Sequence, residues 1–430
     1  MMERQIPPVH GGSLIRIGIF IGIALHFVMF FVVIQRQSFL ADDSIQYLTI
    51  AENLYEFGLF SQSVDSPVVA DAQKTPGYPF FILLLGMQPW LIIFIQHLLA
   101  IATAFLLGAI LKSSKLEKVA PGFVLLYLIQ PYSLVFAGLI LSETLFIFLI
   151  VALIWYWKRW SEEFVVRDLS ISAAILAIAV FVKPVAIILI VLFPVIAATL
   201  IFSRKKAKWQ ALLMPAVLTL ILGPWVLRNR EVTGRFSISS MGSPSLIHGR
   251  LGGMISQTGE QLQNETAWYL AGDSILADNS GFQSYRIYPE GKQTHESVVF
   301  AESGMMESIV YAWDHPGNAV SFLGRSFWNM AKGAAYGWSF SQTGNRPFSM
   351  ILAGLQIACN IFMISGFFIF LFRIGKQDFF SRTCSGVVLS ILVVSAVVWA
   401  DGRYRMILDP VLLVITAYSL PWFGKRNSKV

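Results

Sequence analysis

Acidic and basic side chains stand at the ends of long apolar runs in this chain, a placement suited to proton transfer beside a phosphate-bearing lipid. Ala41-Asp42-Asp43-Ser44-Ile45-Gln46-Tyr47 follows the first apolar run, and Lys74-Thr75-Pro76-Gly77-Tyr78-Pro79 precedes the second. Structurally, Asp42 or Asp43 reads as the N-cap of a juxtamembrane helix with apolar residues at Ile45, Leu48, Leu54 and Phe57. Chemically, a carboxylate at a helix N-terminus stays ionised and accepts a proton from a hydroxyl. Lys74 lies where two prolines and a glycine turn the chain, either snorkelling to the interface or meeting a phosphate.

Four more places carry the same signal. Glu143, in Leu141-Ser142-Glu143-Thr144-Leu145-Phe146, and Lys183-Pro184 are ionisable positions at span ends, where charge is costly and points to function. Arg228 closes Gly223-Pro224-Trp225-Val226-Leu227-Arg228-Asn229. Asp401-Gly402-Arg403-Tyr404-Arg405 packs two arginines into a five-residue turn, an anion site for either a lipid phosphate or a phosphate-bearing substrate. His248 reads as a hydrogen-bonding loop residue, with metal ligation as the alternative. There is no glycine-rich phosphate loop, metal-ligand spacing or nucleophile motif.

The elements that must position these residues are membrane helices. Of the 430 residues, 56% are hydrophobic and 13% charged, with a mean hydropathy of +0.65. Soluble domains carry about 25% charged residues, so an ordinary soluble enzyme, a disordered chain and a disulfide scaffold are excluded. Spanning-length apolar runs fall near 14–34, 89–111, 120–136, 139–157, 169–183, 185–202, 209–227, 348–372, 383–400 and 406–423. The first is read as an uncleaved span. Tyr78 to Leu85 is too short to span and reads as re-entrant or interfacial. Trp155, Trp157, Trp160, Trp209 and Trp422 read as interfacial anchors, and Cys359 and Cys384 as core-filling residues.

With the N-terminus inside, the cytoplasmic segments hold 18 of the 32 Lys and Arg against 6 of the 25 acids. This is the positive-inside pattern, and the net +7 reports topology rather than nucleic-acid binding. The expected fold is all-α and polytopic: about ten transmembrane helices, juxtamembrane helices in the first outer loop, and a small mixed outer domain. Its modules are 1–227 with the first outer loop at 35–77, the outer domain at 228–347, and a C-terminal transmembrane module at 348–430. Within the outer domain, Glu302 to Trp313 and Asn318 to Lys332 read as amphipathic helices, with Phe322, Phe327 and Trp328 facing lipid or the membrane domain.

In this order, the boundary motifs resemble the GT-C superfamily of polyprenyl-phosphate-sugar glycosyltransferases, whose members include protein O-mannosyltransferases and aminoarabinose transferases. The matching pieces are Asp43-x-x-x-Tyr47 with Ala51-x-Asn53-Leu54, Lys74 to Pro79, Ser142-Glu143-x-Leu145-Phe146, Pro224-Trp225-x-x-Arg228-Asn229, and Arg403-Tyr404-Arg405 with Pro410. The resemblance implies inverting sugar transfer at the outer face, from a polyprenyl-phosphate donor to a hydroxyl of a glycan, lipid or protein acceptor. It implies Asp43 as the base, with Asp42 its competitor because the common pair is Asp-Glu. Lys74, Arg403 and Arg405 would stabilise the leaving phosphate, and Arg228 matches a motif residue of less defined role; Lys183 joins them by location alone.

Glu143 matches the family's second acidic position, which arranges the site or a divalent metal. Mg or Mn is left open, with Asp43, Glu143 and His248 as candidate ligands; Tyr47, Tyr78 and His248 are candidate substrate contacts. The expected setting is a bacterial inner membrane, with both termini cytoplasmic and the site facing the periplasm. The alternatives are a transporter or flippase of a lipid-linked sugar and a scaffold of envelope-polysaccharide assembly.

Overall fold

A computed structural model describes residues 11–64, 68–206, 208–240, 309–332, 346–398 and 405–420. Among these residues every regular element is helical. His248, Arg403, Tyr404 and Trp422, with the first turns expected of the Glu302–Trp313 helix, lie outside the described residues.

All ten apolar runs carry helix. They correspond to α1 (Gly11–Arg36), α4 (Pro89–Ser113), the pair α5 (Ala120–Ile129) and α6 (Pro131–Ala137), α7 (Glu143–Glu163), α8 (Val166–Val182), α9 (Ile187–Ser203), α10 (Gln210–Thr233), α12 (Arg346–Phe372), α13 (Phe379–Val398) and α14 (Asp409–Ser419). Between them lie α2 (Asp42–Phe57), α3 (Gly77–Leu84) and α11 (Pro316–Lys332). Seven helices among the described residues are long and apolar enough to cross a membrane, and the α5–α6 pair, bent by 51°, makes an eighth. The bend falls at Pro131, which has no N–H to continue the helix. α8 and α14, of 17 and 11 residues, are not among those candidate spans. Nearly every residue of α14 is buried by protein rather than left for lipid. Hydropathy alone does not separate such an enclosed helix from a full span.

The core is built where α4, α5, α7, α8 and α14 meet, from side chains such as Leu107, Phe146, Leu153, Leu176 and Leu413. Trp157 and Trp160 belong to it. Both are fully buried, their rings 4.8 Å apart, with Trp157 edge-on to Phe193 at 4.7 Å. The expectation that they anchor at the interface is therefore corrected: their i, i+3 spacing turns both toward neighbouring helices. Trp209 is exposed. Between α1 and α4, His26 and His97 are both buried and meet through their Nδ1 atoms at 3.0 Å.

In the outer segment, a helical stretch at 309–314 precedes α11. Phe322 is buried against Tyr311, Ala312 and Ala319, while Phe327 and Trp328 are exposed. Neither described cysteine is in a disulfide, and Cys384 is buried.

Candidate active site

The turn after α1 sets the position of α2. The helix begins at Asp42 and its N-cap is Ala41, which corrects the expectation that an aspartate caps it. Ser44 does the capping work instead: its Oγ accepts the Ala41 N–H at 2.8 Å and donates to the Ile140 carbonyl at 2.8 Å. One hydroxyl thus ties the start of α2 to the segment leading into α7. Both aspartates are left in the first helical turn, where backbone N–H groups favour negative charge. At the other end, Gly58 takes a left-handed φ of 66°, as a helix-ending glycine does. Asn53, part of the motif read from the sequence, donates to the Ser61 and Ser63 carbonyls at 2.9 and 3.0 Å and folds the following loop back.

Two carboxylate–ammonium pairs meet around Tyr47. Lys74 Nζ lies 2.9 Å from Asp43 Oδ1 and 5.2 Å from the centroid of the Tyr47 ring. Lys183 Nζ lies 2.9 Å from Glu143 Oε1. The Tyr47 hydroxyl donates to Ser142 Oγ at 3.4 Å, and its ring packs edge-on to Tyr78 at 4.9 Å. Tyr78 donates to Gln96 Oε1 at 2.6 Å, and the Gln96 amide donates to the Ala137 and Leu139 carbonyls. Burial first, then the Asp43 carboxylate, push the Tyr47 hydroxyl above its ordinary range. Lys183 opposes this and Glu143 adds to it, so Tyr47 stays protonated.

Local sequence explains how each partner arrives. Lys183 precedes Pro184, which forbids helix and leaves Lys183 extended (φ −148°, ψ 114°) at the end of α8. Glu143 is the first residue of α7, buried to 2% exposure at the positive end of the helix dipole. Asp43 is the open member, with 31% of its side chain exposed.

Gly77 lets α3 dock at this point: a Cβ there would lie 2.7 Å from backbone atoms of Phe181 and Val182. Gly77→Ala is expected to cost about 1–3 kcal/mol by overpacking. Gly122→Ala, where a Cβ meets nothing within 4 Å, is expected to stay within about 0.5 kcal/mol. Thermal midpoints of the two purified variants check this.

Arg228 and Arg405 lie elsewhere. Arg228 donates to the carbonyls of Asp71 and, at 3.1 Å, Phe60, and stacks on Trp225 (4.9 Å) and Phe60 (5.3 Å). Its guanidinium therefore staples the loop between α2 and α3. Arg405 is buried and donates to Asn360 Oδ1 at 2.6 Å and Asp409 Oδ1 at 2.7 Å, in a network that Gln356 extends to the Tyr132 N–H. Its neighbour Met406 shares an apolar cluster with Ala41, next to the start of α2.

Sequence reading missed Asp71, Ser44 and Gln96. Asp71, fully buried, accepts the N–H groups of Gln62 (2.7 Å) and Gln73 (3.0 Å). Burial pushes its carboxyl up, opposed by those hydrogen bonds and by the Arg228 charge. A lone acid between two alanines carries no sequence signal. Among the described residues no group of three His, Cys, Asp or Glu is placed to hold a metal. Asp43 and Glu143 are each matched by an ammonium.

What the arrangement can do is hold one partly open carboxylate beside ammonium groups able to meet an anion. No protein-family model matches the chain, and no curated protein does. Among solved structures, the chain is similar to the crystal structure of ArnT from Cupriavidus metallidurans bound to undecaprenyl phosphate. The identity is 14%, the match covers 93% of this chain and 77% of that one, and the TM-score is 0.41.

Proposed function

We propose that this protein is a membrane glycosyltransferase of the GT-C type, moving a sugar from a polyprenyl phosphate to an acceptor hydroxyl at the periplasmic face of a bacterial inner membrane. The observation that carries the reading is the convergence of the pairs Asp43–Lys74 and Glu143–Lys183 on Tyr47. Motif and span position mark these same residues in the sequence. In the sequence the pairs are 31 and 40 residues apart.

The partly exposed Asp43 accepts the proton of the acceptor hydroxyl as that oxygen attacks the anomeric carbon. The bond from that carbon to the phosphate oxygen breaks, with inversion, and the polyprenyl phosphate departs. An ammonium has three donors, so Lys74 can hold Asp43 with one and turn another toward the leaving phosphate, where preorganised charge lowers the barrier. Lys183 and Arg403 are the further cationic candidates for that phosphate, whereas the buried Arg405 is committed to Asp409 and Asn360. Glu143 holds Lys183, and the outer segment 228–347 would help choose the acceptor.

The test is to reconstitute the protein in nanodiscs and offer a panel of polyprenyl-phosphate sugars with glycan, lipid and peptide acceptors. Mass spectrometry would detect a glycosylated acceptor with release of polyprenyl phosphate in equal amount. Movement of the donor between leaflets of proteoliposomes, with no acceptor consumed, would replace this reading with a transporter. The buried His26–His97 contact between two spans is the feature that favours that second reading.

A further inference from the structure

We propose that Asp71 is a positioning residue: its buried carboxylate, together with Arg228, ties residues 60–62 to 71–73 so that Lys74 is delivered to Asp43. The inference rests on the reading of Asp43 and Lys74 given above, and it concerns residues that do not themselves touch substrate.

Asp71, Ala72 and Gln73, the three residues before Lys74, are each held. Asp71 donates its own N–H to the Phe60 carbonyl at 3.1 Å, and Arg228 binds both the Asp71 and Phe60 carbonyls. The Asp71 carboxylate gathers the Gln62 N–H on one oxygen and, on the other, the Gln73 N–H with the Gln62 amide at 3.4 Å. The Gln62 amide also donates to Gln73 Oε1 at 2.7 Å. From the far side of α10, the Ser240 N–H donates to the Ala72 carbonyl at 2.9 Å and Ser239 Oγ to the Gln73 carbonyl at 2.5 Å.

Lys74 follows directly. Three residues further on, Gly77 is butted against the backbone of α8. Lys74 is thus fixed between two anchored points, with little backbone freedom left, and a four-carbon stem then needs only its own rotamer to reach Asp43.

The chemistry of the clamp requires a carboxylate. Three N–H groups converge on Asp71, and no donor is needed from it. An amide at this place would turn an NH2 group against a backbone N–H, and a longer acid would not fit a fully buried site.

The experiment is a double-mutant cycle in nanodiscs using wild type, Asp71→Asn, Lys74→Ala and the double variant, read as the rate of sugar transfer. Positioning predicts a fall of about 10- to 100-fold for Asp71→Asn in the wild-type background, the scale of a misplaced catalytic contact. In the Lys74→Ala background the same change should cost less than about threefold, because the residue it positions is gone. Equal losses in both backgrounds would mean a general structural role and overturn the proposal. Should Asp71→Asn fail to fold, Gln62→Leu loosens the same clamp while keeping the backbone grip, and the same non-additivity is expected.

A second readout does not depend on transfer. In a chain with Cys359 and Cys384 changed to Ser, Asp43→Cys and Lys74→Cys are joined by a short bis-thiol cross-linker, with and without Asp71→Asn. Cross-linking about tenfold slower in the loosened protein supports positioning. An unchanged rate overturns it. A wild type that transfers no sugar would sink the proposed function and leave the cross-linking result to decide this one.

Discussion

Asp43→Asn is expected to leave a folded protein whose sugar transfer is lower by about 10²- to 10⁴-fold, the range a general base contributes. The amide keeps the shape of the carboxylate and its place in the first turn of α2. What it loses is the ability to take a proton from the attacking hydroxyl. The fold should tolerate the change because about a third of the Asp43 side chain faces solvent. The amide oxygen still accepts from Lys74, whose side chain is 10% exposed, so the lost charge is expected to cost about 1–3 kcal/mol. In cells, the signature is accumulation of the donor lipid in the variant but not in the wild type at matched protein levels, seen by mass spectrometry of extracted lipids. That measurement would also name the sugar. Normal transfer by Asp43→Asn with a large loss in Asp42→Asn would move the base by one position; normal transfer by both would remove carboxylate base catalysis from this loop.

The helices and the chemistry were legible in the sequence to different degrees, for physical reasons. Every apolar run became a helix because membrane helices satisfy their backbone hydrogen bonds internally, so hydropathy alone reports them. Pro184 and Gly77 were legible as breaks, since backbone sterics act locally, whereas the bend at Pro131 falls inside a run that reads as one span. The burial of α14 and the inward turn of Trp157 and Trp160 were not legible, because an apolar side chain looks the same whether it meets lipid or protein.

Among the candidate site residues, the motifs gave Asp43, Lys74, Glu143 and Lys183 as separate points. Their pairing follows from α3 docking on the end of α8, a contact between segments about 100 residues apart that no local spacing encodes. Arg228 looked like a free cation at a span end, whereas in the fold its donors go to the carbonyls of Asp71 and Phe60. Ser44 was passed over for the aspartates beside it, yet its single hydroxyl serves both the helix cap and the Ile140 carbonyl.

Lys183→Met is expected to be among the most destabilising single substitutions in the protein. It would leave Glu143, at 2% exposure, without its counter-charge. Breaking a buried pair by removing one partner costs about 3–5 kcal/mol, because the remaining charge is stranded. The measurement is the denaturation midpoint in one fixed detergent or nanodisc.

The informative comparison is the double variant Lys183→Met/Glu143→Gln. Removing the second charge removes the stranded ion, so stability should return to within about 1–2 kcal/mol of wild type, as replacements of buried pairs by neutral groups often do. Transfer should not return with it. The pair acts electrostatically on Tyr47 beside Asp43, and Lys183 is a candidate contact for the departing phosphate. A neutral pair can fill the space but can neither hold that field nor meet that charge. A double variant that regains both stability and transfer would reduce the second pair to packing, and the chemistry would then rest on Asp43 and Lys74 alone. A single variant as stable as wild type would mean that Glu143 finds another partner or a proton, and the pair would no longer count as a fixed charge of the site.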